Sequence, residues 1–149
     1  MNFSNPFVAQ NEASLSYQPM PFFDDVKQPQ YDYNKKLDLN LYCIQRPQQT
    51  CFIRVTNPNM LAWGIEAGDM LIVEQNNSLA AGELVVLQQQ DEFHIYEFVT
   101  KTNGEYVFLA LDSKMGKLKT SNWQELPIVG TVTNVIHKLK RKPQMKLAA

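Results

Sequence analysis

The chain is poor in histidine, cysteine and glycine, and it contains no long apolar run. Its 149 residues include two histidines, His94 and His137, two cysteines, Cys43 and Cys51, and six glycines, the first at Gly64. Two cysteines with neither CxxC spacing nor a neighbouring histidine do not make a disulfide framework or a zinc-type site. Reduced thiols are expected, although the count alone leaves a single Cys43–Cys51 disulfide open. No metal and no cofactor are expected. The longest apolar segments fall well short of the ~20 residues of a membrane-spanning helix. Met1-Asn2-Phe3-Ser4-Asn5-Pro6 has neither the basic start nor the apolar stretch of a secretory signal, so the reading is a cytoplasmic protein away from membranes.

Charge of one sign is also lacking. The formal net charge is −1, the hydrophobic fraction 44% and the charged fraction 19%, ordinary for a soluble globular domain. The distribution is less even. Lys138, Lys140, Arg141, Lys142 and Lys146 cluster at the C-terminus, and without those five charges the total falls from −1 to −6. Such a run can touch an acidic partner through salt-sensitive contacts. It has no interleaved aromatics, so a solvated tail over 140–149 is expected, without direct nucleic-acid binding.

Residues 1–36 read differently from the rest. They hold four of the eight prolines, Pro6, Pro19, Pro21 and Pro29, with many Asn, Gln and Ser and no sustained period. A segment that buries so little apolar surface does not offset its ordering entropy, so a flexible arm is expected. Met20-Pro21-Phe22-Phe23 is an apolar patch within it, with Phe22 and Phe23 the candidate docking residues.

From residue 37 to 139 a single ordered domain is expected. Asp38 or Asn40 can cap a short helical turn, which Pro47 must end. Short β segments follow: Cys51–Thr56, Met70–Val73, Glu83–Leu87, Glu92–Val99, Tyr106–Ala110 and Pro127–Ile136. Asn103-Gly104 between two of them is a strong two-residue hairpin signal. Gly130 inside the last run suggests a bulge or bend. Six or seven strands at short spacing without a βαβ rhythm point to a mostly β, antiparallel, hairpin-rich domain.

Arg54-Val55-Thr56-Asn57-Pro58-Asn59-Met60 and Gly64-Ile65-Glu66-Ala67-Gly68-Asp69-Met70-Leu71-Ile72-Val73 carry a resemblance. They resemble the catalytic segment of the LexA/UmuD (S24 peptidase-like) family, in which a strand leads to a Ser-Met pair and then to a Gly-Asp-hydrophobic strand. Leu37-Asp38-Leu39-Asn40, the Phe52 strand, Gly82–Val86 and Val129–Val132 fall where the family has similar words. The likeness spans roughly 37–137 and is greatest to UmuD-like members, which carry an arm in place of a DNA-binding domain. It implies a compact LexA/UmuD-type C-terminal β domain.

The family cuts its own arm with a Ser-Lys dyad, the lysine being kept neutral by burial so that it can accept the serine proton. Here the serine position is Asn59 and the lysine position falls on Tyr96. An amide nitrogen, its lone pair delocalised, offers no alkoxide-type nucleophile, and a phenol with an ordinary pKa near ~10 is a poor base at neutral pH. A register shift of one gives Glu97, again no lysine. The family's scissile bond joins small residues, whereas the corresponding place here is Phe23-Asp24, in an arm without glycine. Asn59 and Tyr96 could instead hydrogen-bond extended arm backbone, or satisfy each other or nearby carbonyls. The two histidines are expected at the surface or along the cleft rather than in catalysis.

The resemblance therefore implies a pseudo-peptidase: a non-cleaving, UmuD-like accessory protein of the SOS DNA-damage response. Implied partners are a second copy or an active UmuD-like relative, a translesion polymerase catalytic subunit and the recombinase filament. Two alternatives remain open at the sequence level. One is an active self-cleaving peptidase with an atypical dyad such as Thr56 with Lys101. The other is a phage or mobile-element module that antagonises a host relative by mixed dimerisation.

Overall fold

In the computed structural model the described residues are 19–24, 35–60 and 63–139. The expected arm is described only over 19–24 and 35–36, and the expected tail 140–149 lies outside the described residues. Two short strands, β1 (Met20–Pro21) and β2 (Lys36–Leu37), pair antiparallel. Helix α1 (Leu39–Cys43) follows at once because Asp38 caps it, its Oδ1 accepting the N–H groups of Asn40 at 3.0 Å and Leu41 at 3.3 Å. A 3-10 turn opening at Pro47 then leads into the main sheet.

That sheet contains β3 (Thr50–Arg54), β4 (Met70–Glu74), β5 (Leu84–Gln89), β6 (Glu92–Thr102), β7 (Glu105–Ala110), β8 (Lys117–Thr120) and β9 (Ile128–Ile136). Their spatial order is β3-β4-β9-β5-β6-β7-β8, with every neighbouring pair antiparallel. The expected antiparallel, hairpin-rich β architecture is thus what forms. The β6–β7 hairpin turns at Asn103 (φ 52°) and Gly104 (φ 76°), the positive pair that a tight two-residue turn needs.

Gly130 marks an irregularity, as its position suggested. Val86 pairs with Gly130 but Leu87 pairs with Ile128, so β9 carries one extra residue there. A Cβ on Gly130 would sit 2.6 Å from the Glu74 carbonyl oxygen. Only glycine lets β9 approach β4 this closely. Two strand pairs were not anticipated: β1–β2, and β8 against β7. Lys-Leu-Lys-Thr in β8 contains one apolar residue, too few to show a period.

Side-chain alternation builds two cores on opposite faces of β5 and β6. Val86 and Ile95 join Cys51, Ile53, Val55, Met60, Ile65, Leu71, Val73, Leu111 and Val129 in the first. Val85, Leu87, Tyr96, Phe98, Phe108 and Ala110 form the second, closed over by Leu118, Trp123 and Leu126 among others. Burial on both faces explains why β6 shows no clean polar side in sequence.

Candidate functional site

The Asn59 loop begins where β3 ends. Val55 extends the sheet by one rung, its N–H donating to the Asp69 carbonyl at 2.8 Å while Gly68 N–H donates back to Val55 at 2.7 Å. Pro58 then has no N–H to offer a ladder, and the chain turns. Asn57 organises that turn: its Oδ1 accepts the Asn59 N–H at 2.8 Å, an Asx-turn, and its Nδ2 donates to Asp112 Oδ2 at 2.9 Å. Met60 is buried in the first core, pinning the loop from below.

Asn59 itself is exposed, close enough to the Asp112 carboxylate to be the weakest of the influences on it. Asp112 is therefore the hub of this loop. It accepts from the Asn57 amide at 2.9 Å and from the Lys114 N–H at 3.0 Å. The Asn57 bond, then the Lys114 N–H, hold its carboxyl below the ordinary range.

Tyr96 lies elsewhere. Ile95 packs with Met60 in the first core, so the pleat turns the next residue to the opposite face, where Tyr96 is buried in the second core. Burial pushes the phenol up from its ordinary value, further from the range of a base at neutral pH. No hydrogen bond joins Asn59 to Tyr96 among the described residues. The mutual pairing considered for them is not formed. Glu97, reached by a one-residue shift, pairs across β5 with Leu84 and across β7 with Leu109.

Among the described residues no hydrogen bond joins the atypical pair, Thr56 and Lys101, either. Thr56 leaves the sheet just after Val55, whereas Lys101 lies near the far end of β6 with its Nζ 5.0 Å from the Tyr106 ring centroid. Lys101 is exposed. In the arm, Phe22 N–H donates to the Lys35 carbonyl at 2.8 Å, and Lys35 Nζ stands 5.1 Å from the Phe22 ring centroid and 3.3 Å from Asp24 Oδ2. Phe23, beside Asp24 at the expected cleavage position, is exposed. The described arm segment is thus tied to the strand that opens the domain.

Two groupings escaped the sequence reading: Asn57 with Asp112, and Asp69 with His137. His137 Nδ1 lies 2.6 Å from Asp69 Oδ1, and Asp69 Oδ2 accepts the Glu66 N–H at 2.9 Å. His94 sits 3.6 Å from Glu92 Oε2. Asn57-Pro58 and Gly68-Asp69 read as turn words in sequence, with nothing to say which distant residue each would meet. Among the described residues no group of three or more His, Cys, Asp or Glu is arranged to hold a metal ion, and no helix is long and apolar enough to cross a membrane.

The strand–turn–Met60–Gly68-Asp69 frame, the antiparallel sheet and the arm hairpin before it coincide with a family model described as Peptidase S24-like, which matches residues 21–133. The chain belongs to the Peptidase S24-like family. Within it the chain is a UmuD-like member. It is similar, at 59% identity over 113 residues, to an uncharacterized protein of Haemophilus influenzae, covering 76% of this chain and 79% of that one. It is 33% identical to Protein SamA of Salmonella typhimurium over 75% of this chain and 77% of SamA. Protein ImpA of Escherichia coli is 31% identical over 75% and 76% of the two chains.

Proposed function

We propose that this UmuD-like chain is a non-cleaving accessory protein of the SOS response, which works by dimerising and by binding a translesion polymerase catalytic subunit. The observation that carries the reading is the fate of the two dyad positions. Asn59 is an exposed amide held in the Asn57 turn, and Tyr96 is buried in the other core. Neither nucleophile nor base is in place, and the arm offers Phe23-Asp24 where a small-residue bond belongs. Family membership supports the mutagenesis theme, and the fold is retained for what it binds.

Dimerisation is supported by exposed apolar side chains in and near α1. Leu39, Leu41 and Tyr42 are all exposed although the helix has only five residues, and Phe52 stands out from β3. Large apolar side chains left exposed in this number favour a contact surface. The partner is a second copy or an active UmuD-like relative.

The reading is tested by incubating the full chain with activated recombinase filament and nucleotide and measuring intact mass. The arm is expected to stay attached, while co-purification after DNA damage recovers the polymerase subunit. A discrete fragment beginning near Asp24 would overturn the non-cleaving assignment.

A further inference from the structure

The sheet has a free edge whose chemistry is unusually uniform. β8 pairs with β7 and, among the described residues, with nothing on its other side. Ala110 N–H donates to the Gly116 carbonyl at 2.9 Å, which makes Ala110 and Gly116 a hydrogen-bonded pair. In an antiparallel ladder such pairs recur every second residue. Phe108–Leu118 and Tyr106–Thr120 are then the next bonded pairs in this register. Lys117 and Lys119 fall between them, so their N–H and C=O groups point away from β7, to the open edge.

Their side chains are alike as well. Both lysines are exposed, and neither forms an ion pair among the described residues. They stand on one face, in rows with Leu109 and Val107 of β7, while Leu118 between them turns to the second core. Leu109 is itself exposed.

We propose that this edge accepts an extended, acidic segment of a partner protein as an added strand. Backbone pairing would use Lys117 and Lys119, the two residues whose main-chain groups are open. The segment would carry acidic side chains at the two positions facing the lysines and an apolar residue between them, continuing the second core beyond Leu118. An acid–apolar–acid alternation is the chemistry recognised. A second copy of this edge does not fit, because edge-to-edge pairing would set lysine against lysine, and like charges across a ladder repel. Lysines on an edge strand can also serve only to discourage unwanted pairing, and the experiment separates the two roles.

The probe is the peptide Glu-Val-Glu-Val-Glu, blocked at both ends, added to the isotopically labelled full chain with amide exchange followed by NMR. Exchange at the Lys117 and Lys119 amides is expected to slow by about tenfold or more near saturation, with Leu118 little changed because its N–H is already bonded. The double variant Lys117→Glu/Lys119→Glu, at two exposed positions, should melt as the parent does. It should bind the acidic peptide about tenfold more weakly and gain affinity for Lys-Val-Lys-Val-Lys. Absence of binding to the parent would assign the lysines to edge protection and overturn the proposal. Binding without slowed exchange at the two amides would reduce it to side-chain attraction and overturn strand addition.

Discussion

Asp69 Oδ1 and His137 Nδ1 are 2.6 Å apart, although 68 residues separate them in the chain and the Asp69 side chain is only 3% exposed. A buried carboxylate is costly unless its oxygens are satisfied. Burial pushes the Asp69 carboxyl up, yet the Glu66 N–H, the His137 hydrogen bond and the His137 charge leave it below its ordinary value. An ionised carboxylate only accepts, so the Nδ1 of His137 carries the proton. Glu66 Oε2 lies 3.5 Å from the same nitrogen. The pair fastens the end of β9 to the Gly68-Asp69 turn, and through the Val55 rung to the loop that carries Asn59.

Removing the imidazole leaves a buried oxygen without its partner. His137→Ala is expected to lower stability by about 1–3 kcal/mol, read as a shift in the urea midpoint with unchanged slope. A fall of only a few tenths would mean that water replaces the ring at no cost.

The pH dependence follows from the direction of the Asp69 shift. Its carboxyl is lowered in the folded state, so its contribution is fully present above the unfolded value and is lost as pH falls through the folded one. Stability should decline on acidification below about pH 4, and Asp69→Asn should flatten that decline. Urea midpoints between about pH 7 and pH 3 measure both.

Replacing the residue at the nucleophile's position should not restore cleavage. In Asn59→Ser the new hydroxyl still lacks a neutral amine, because Tyr96 is buried in the other core with its phenol pushed up. Intact mass after incubation with recombinase filament should show the arm retained. A cut arm would mean that another base serves the site.

Asn57 is expected to matter more to the loop than Asn59. Asn57→Ala removes both the Asx-turn and the largest influence on Asp112, so the Asp112 carboxyl should titrate higher, toward its ordinary value. Asn59→Ala, removing the smallest of the influences on that carboxyl, should move it less. Side-chain carboxyl NMR across the acid range distinguishes them.

Gly130→Ala tests the close approach of β9 to β4. A methyl group 2.6 Å from the Glu74 carbonyl oxygen cannot be accommodated without moving backbone. A loss of about 1–3 kcal/mol is expected, typical of overpacking, measured by thermal or urea unfolding. No change would show that the extra residue in β9 absorbs the shift.

Much of the fold was legible because its signals are local. Asn103-Gly104 declares its turn through the backbone angles those two residues tolerate, and Asp38 declares the start of α1 through a cap two and three residues away. β8 was not legible, since Lys117–Thr120 forms a strand only because β7 offers it a ladder. The candidate site divided in the same way. Asn57-Pro58 could be read as a turn from the residues, but not the Asp112 partner that Asn57 takes.

From its sequence alone this protein is a mostly β, S24-like chain, because residue identity and local periodicity carry those facts. Tertiary structure alone decided that Asn57 meets Asp112, that Tyr96 faces the other core, that His137 holds Asp69, and that two lysines line an open edge. Each of these depends on strand order and on which way the pleat points. A one-residue change of register reverses a side chain's face, and hydrogen bonds spanning 55 and 68 residues are fixed only once the strands are in place.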